Sequence, residues 1–144
     1  MSLTAAIEVP AGQLDARALV VKLRITNPAD HGITILNPDM GIPSPAMNWP
    51  YSKEVYQTFL LMSFGYLSML VTDEASKEIP QQVIPTSATP ALRPPIEMGP
   101  GDSFEVAIPI GSIYQLESKK AYQVAIEYGD QKLKVSARSR VIVP

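Results

Sequence analysis

Apolar and polar residues alternate with a period of two along much of this chain, which places every second side chain on one face of an extended strand. From Ala18 to Asn27, Leu19, Val21, Leu23 and Ile25 share one face and Lys22, Arg24 and Thr26 the other. The run closes on Asn27-Pro28-Ala29-Asp30, a turn composition. Ile33-Thr34-Ile35-Leu36 follows and is closed by Asn37-Pro38-Asp39, so the spacing predicts a hairpin of two strands. Later, Met98-Gly99-Pro100-Gly101-Asp102 is a tight turn that opens a strand carrying Phe104, Val106, Ile108 and Ile110 on one face. Tyr122, Val124, Ile126 and Tyr128 define another, and Tyr128-Gly129-Asp130-Gln131 turns it into Leu133, Val135 and Ala137, a terminal hairpin. Leu3 to Val9 and Tyr66 to Thr72 bring the count to about seven strands. That number and spacing predict an all-β fold, an immunoglobulin-like antiparallel β-sandwich formed as a single domain over residues 1–144.

Two stretches depart from the alternation. Residues 79–100 hold six prolines, at 80, 85, 90, 94, 95 and 100, so any strand there must be short. Residues 40–65 are too long for an ordinary connection and read as an insertion. Within it Ser52 is placed to cap a short helix whose Val55, Tyr56, Phe59 and Leu60 share a face, with Gly65 as its stop.

Composition narrows the function classes. Proline, at 14 of 144 residues, is about twice ordinary usage, in keeping with many turns. A formal charge of −2 supplies no field to attract nucleic acid, so no nucleic-acid partner is expected. No transmembrane segment is expected, because no apolar run is long enough for one. The absence of cysteine removes disulfides and thiolate metal sites. The start Met1-Ser2-Leu3 is compatible with a removed signal peptide, in which case the expected location is secreted or periplasmic.

Catalytic chemistry finds little to work with. His31 is the one histidine and sits in a turn, which argues against a Ser-His-Asp triad and an imidazole zinc site. The acidic residues do not alternate as in a calcium loop, and the glycines do not precede a helix as in a phosphate cradle. No catalytic residue, cofactor or metal ligand is therefore assigned. Two clusters stand above this background. Lys132, Lys134, Arg138 and Arg140 share strand parity and predict a basic stripe, either a guard against edge-to-edge pairing or a site for an anionic partner. Trp49, Tyr51, Tyr56 and Phe59, with Phe64 and Tyr66, place six of the ten aromatics within eighteen residues. They form either a lid on the core or a surface for a protein partner.

Met98-Gly-Pro-Gly-Asp-Ser-Phe104, Ile113-Tyr-Gln-Leu116 and Ala121-Tyr-Gln-Val124 together resemble the β-domain that precedes the catalytic domain in deuterolysin-like metallopeptidases, over about half the chain. The run Ala18 to Asp30 similarly resembles the opening strand and turn of small bacterial immunoglobulin-like accessory domains. The resemblance implies a structural tyrosine corner at Tyr122 and no proteolysis, since the His-Glu-x-x-His motif is missing. The expected function is a non-catalytic binding or accessory module acting through protein contacts, with self-association a further expectation. One alternative is a proteinase-inhibitor-like sandwich using Ile42-Pro43-Ser44-Pro45 through Tyr51 as its wedge, although the loop motifs of chagasin-type inhibitors are missing. The other is an enzyme with a pocket of acidic and tyrosine side chains.

Overall fold

The computed structural model describes residues 3–39, 52–82 and 93–144. Among them the chain is mostly β, with eight strands in three antiparallel sheets. In chain order these are β1 (Thr4–Glu8), β2 (Val21–Thr26), β3 (Ile33–Ile35), helix α1 (Lys53–Ser63), β4 (Leu67–Thr72), β5 (Ile96–Met98), β6 (Ser103–Ile108), a short helix α2 (Ile110–Ile113), β7 (Ala121–Gly129) and β8 (Lys134–Ile142). The strand orders are β1-β2-β6, β3-β5 and β4-β7-β8.

The alternation read from sequence sets the two larger sheets. Leu19, Val21, Leu23 and Ile25 are all fully buried, as are Val124, Ile126 and Tyr128 to within a percent. Inward residues of β2, β4, β6, β7 and β8, with Leu60 and Leu61 of α1 and Ile110 and Ile113 of α2, join one hydrophobic cluster. Removing these side chains from water is the main favourable term holding the sheets together. The terminal hairpin forms as expected, with Tyr122 opposite Val141 and Tyr128 opposite Val135.

The expected hairpin of β2 with β3 does not form. Instead β2 pairs with β6 and β3 with β5, so one pair of chain segments makes both ladders, interrupted by the turns 27–32 and 99–102. Asn27 sits at the interruption and is fully buried. Its backbone N–H donates to Asp102 O at 2.9 Å and its carbonyl accepts from Gly101 N–H at 2.8 Å. Its side-chain Nδ2 donates to the carbonyls of His31 and Met98, both at 2.9 Å, and of Gly99 at 3.2 Å, while Oδ1 accepts from Ala29 N–H at 3.0 Å. One amide thus supplies the hydrogen bonds that the ladder lacks where it breaks.

Helix α1 begins and ends where the sequence places its signals. Ser52 Oγ accepts from Val55 N–H at 3.2 Å. At the other end Phe64 and Gly65 donate to Leu60 O and Met62 O, both at 3.1 Å, and Gly65 takes φ +76°, a left-handed conformation suited to glycine. Strand β6 stops at Ile108 because Pro109 has no N–H to continue the ladder, and α2 follows directly. Among the described residues of the proline-rich flank, Gln81 makes an isolated bridge to Tyr114 and the three-residue β5 follows Pro94 and Pro95.

Three tyrosines tie loops to this framework. Tyr122 Oη accepts from Glu117 N–H at 2.9 Å. Tyr128 Oη donates to Leu36 O. Tyr114 Oη accepts from Gln81 Nε2 at 3.2 Å and faces Met69 O at 3.4 Å. Burial pushes the phenol of Tyr128 far above its ordinary value of 10.0, helped by the nearby Asp130 carboxylate. Burial also raises that of Tyr114, opposed by its bond from Gln81 and reinforced by the Glu78 charge. Above pH 10.0 the unfolded chain loses these protons while the folded chain keeps them. The folded state then binds more protons, so stability is fully present below pH 10.0 and falls as pH rises through that window. Urea unfolding at pH 9 and pH 11 is expected to show this decline, with a shallower slope in Tyr128→Phe. Stability that stays level between those pH values would refute it.

Candidate functional site

The alternation that buries one face of β4-β7-β8 turns the other outward. Ser68, Leu70 and Thr72 of β4, Gln123, Ala125 and Glu127 of β7, and Lys134, Ser136, Arg138, Arg140 and Ile142 of β8 share this outward parity. The register sets them in rows: Leu70 beside Ala125 beside Arg138, flanked by Ser68, Glu127 and Ser136 on one side and Thr72, Gln123 and Arg140 on the other. Ala125 offers only a methyl group on the central strand, so the face sinks between its taller neighbours. An open hollow of about 380 Å³ results, lined by Ser68, Leu70, Ala125, Glu127, Ser136 and Arg138. Leu70 is 45% exposed and Ile142, farther along β8, is 61% exposed.

The charges on this face are unevenly matched. Lys134 Nζ lies 3.6 Å from Glu127 Oε1, and Arg140 Nη2 lies 3.2 Å from Glu74 Oε1. Arg138 pairs with no carboxylate among the described residues. Exposed pairs of this kind add at most about 1 kcal/mol to stability, but they neutralise local field. The outward face of β1-β2-β6 differs. There Lys22 lies 3.7 Å from Glu105 and Arg24 lies 3.8 Å from Glu8, and Arg24 Nη2 also donates to Ser103 Oγ at 3.3 Å. The remaining outward residues on that sheet, Thr4, Ala6, Thr26 and Ala107, are small. One face carries its ion pairs to completion over small residues, and the other leaves a guanidinium and two large apolar side chains in solvent.

Of the predicted basic stripe, Lys134, Arg138 and Arg140 lie on the outward face of β8, while Lys132 precedes the strand in the turn after β7. The aromatic cluster is dispersed among the described residues. Tyr56 is buried in the core, and Phe59 is half-buried against the same cluster. Trp49, Tyr51 and the inhibitor-like wedge 42–51 lie outside the described residues. Phe64 and Tyr66 stack on each other, with ring centroids 6.2 Å apart. His31 is exposed in its turn, with Nδ1 3.2 Å from Asp30 Oδ1.

Leu70, Ser68, Ala125 and Ser136 were not singled out by sequence reasoning. The available signal was limited to Leu70 and Ile142, large apolar residues on the otherwise polar parity of their strands.

Other hollows are less organised. One of about 790 Å³ beside α2 is lined by Arg17, Gln82, Ser112, Gln115 and Glu117, a single carboxylate among amides and a cation. One of about 360 Å³ at the end of the β4-β7-β8 sheet mixes Asp73 and Glu74 with Lys119, Lys120 and Arg140. Among the described residues no three histidine, aspartate or glutamate side chains gather where a metal ion could be held, and no helix is long and apolar enough to cross a membrane. No protein-family model matches the chain, and no curated protein matches it.

Proposed function

We propose that this chain is an immunoglobulin-like, non-catalytic accessory module that acts through protein contacts made by the outward face of β4-β7-β8. The observation that carries the reading is the asymmetry between the two outward faces: on one both strand cations are paired, with a smaller hollow of about 210 Å³ where α1 meets β6, and on the other a hollow of about 380 Å³ holds exposed Leu70 and Arg138, which pairs with no carboxylate among the described residues. Arginine is enriched at contact surfaces relative to the rest of a protein's exterior. The sandwich reading is supported by the strand orders β1-β2-β6 and β4-β7-β8 and by Tyr122. Its hydroxyl accepts the N–H of Glu117, five residues upstream, near the start of β7, which is the geometry of a tyrosine corner. The sequence resemblance to the β-domain of deuterolysin-like metallopeptidases, a domain that accompanies another, is kept as part of the proposal.

The test compares two surface substitutions in the full chain. Leu70→Glu places a carboxylate in the hollow, and Ala6→Glu places one on the opposite face. Both positions are outward, so both variants are expected to keep the wild-type circular dichroism spectrum and melting temperature. Immobilised wild type and Ala6→Glu are expected to retain the same partner from an extract of the native source, and Leu70→Glu to lose it at least tenfold. Equal retention by Leu70→Glu, or loss in Ala6→Glu alone, would overturn the assignment of the contact to this face.

A further inference from the structure

We propose that the hollow over Ala125 receives a short protein segment that presents a carboxylate beside an apolar side chain, with Arg138 as the anchor for the carboxylate and Leu70 as the wall for the apolar group. This rests on the reading of the face as a protein-contact surface and names what the partner must carry.

The charge inventory selects the carboxylate. Among the described residues Lys134 and Arg140 are matched by Glu127 and Glu74, which leaves the face a surplus of one positive charge, at Arg138. The adjoining turn carries one charge of each sign, Lys132 and Asp130, and Asp130 Oδ1 accepts from the backbone N–H groups of Lys132 and Leu133. A guanidinium presents a planar fork of donors that matches a carboxylate with two parallel hydrogen bonds. The Ser68 and Ser136 hydroxyls, in the neighbouring row, also line the hollow and can complete the partner's polar contacts.

The same inventory argues against other occupants. A polyphosphate backbone gains affinity by meeting several cations at once, and here, among the described residues, one is unmatched while Glu127 lines the same hollow. A second copy of this face would bring its own surplus positive charge against the first. The floor selects size. Across the row Leu70-Ala125-Arg138 only the central residue is small, so an incoming side chain seats over Ala125 with apolar contact on the β4 side and the guanidinium on the β8 side. The partner thus carries its carboxylate and its apolar group within a residue or two of each other.

A phage-displayed library of random dodecapeptides, selected on the immobilised full chain, tests this. The expected consensus has Asp or Glu within two residues of Leu, Ile, Val, Met or Phe. A synthetic peptide of that consensus, titrated by fluorescence anisotropy, is expected to bind wild type and Ala6→Glu equally, and Arg138→Glu and Leu70→Glu at least tenfold more weakly. Replacing its acidic residue with the amide is expected to weaken binding to wild type at least fivefold. A consensus without an acidic residue, or an acidic peptide indifferent to Arg138→Glu, would overturn the inference; if Leu70→Glu still abolished binding, the broader contact reading would stand. Failure to select any binder would overturn the inference as well. Dimerisation of wild type in sedimentation velocity, abolished by Leu70→Glu, would assign the face to a second copy instead. Circular dichroism of each variant separates these outcomes from misfolding.

Discussion

Asn27→Ala is expected to destabilise the fold by about 3 kcal/mol, lowering the melting temperature by about 10 °C, although it removes only a small polar side chain. The amide is fully buried and makes four hydrogen bonds, three donated to carbonyls and one accepted from Ala29 N–H. Alanine takes the side-chain bonds away from the Met98 carbonyl and the Ala29 N–H, whose bonds to the amide are both buried, and a buried group left unpaired costs about 1–3 kcal/mol. Asn27→Asp discriminates further, because it keeps the shape. It turns an amide that donates into a carboxylate that faces the carbonyl oxygens of His31, Met98 and Gly99. Those oxygens favour the protonated acid, so the folded-state pKa of the new carboxyl rises above its unfolded value. The variant's deficit then grows as pH rises through that window and shrinks on acidification. Urea unfolding of both variants and wild type at pH 4.5 and pH 7 measures this. A loss under 1 kcal/mol in Asn27→Ala would show that the broken ladder does not depend on this amide.

Gly111→Ala is the second large effect expected, again about 3 kcal/mol, at the upper end for forcing a group into a packed site. Glycine 111 lies where α2 crosses the turn at 16–18, and its N–H donates to Leu19 O at 3.0 Å. A Cβ there would stand 2.2 Å from Ala16 O and 2.7 Å from Leu19 N, both backbone atoms that cannot rotate aside. The helix must lift, which breaks that bond and the one from Ser112 Oγ to Arg17 O. Gly32→Ala is the matched control, since its Cβ would meet only Met98 O at an ordinary 3.7 Å. A change within about 0.5 kcal/mol is expected there. Equal melting temperatures for the two variants would contradict the close approach at Gly111.

Strand positions were legible because their signal is local. Leu19 through Ile25 and Tyr122 through Tyr128 alternate without a break, and a half-buried strand needs no more than that. Helix α1 was legible from its cap, its spacing and Gly65. The pairing of β3 was not. The turn compositions at 27–30 and 98–102 are both visible in the sequence, but nothing local says that they face each other across one interrupted ladder, a relation between residues 71 and 72 apart. Helix α2 and the turn at 16–18 are too short to carry periodicity. On the candidate face, parity brought out Arg138 and its neighbours on β8, while the hollow itself depends on Ala125 lying between Leu70 and Arg138. That adjacency follows from the order of strands, which alternation does not encode.

The central claim is that the outward face of β4-β7-β8, and not that of β1-β2-β6, meets a partner. Its most direct measurement is contact itself: a photoreactive p-benzoylphenylalanine placed at position 70, and separately at position 6, irradiated in an extract of the native source. A discrete cross-linked adduct is expected from position 70, lost when Arg138→Glu is added, and none from position 6. Adducts of equal yield from both positions, or an adduct from position 6 alone, would contradict it.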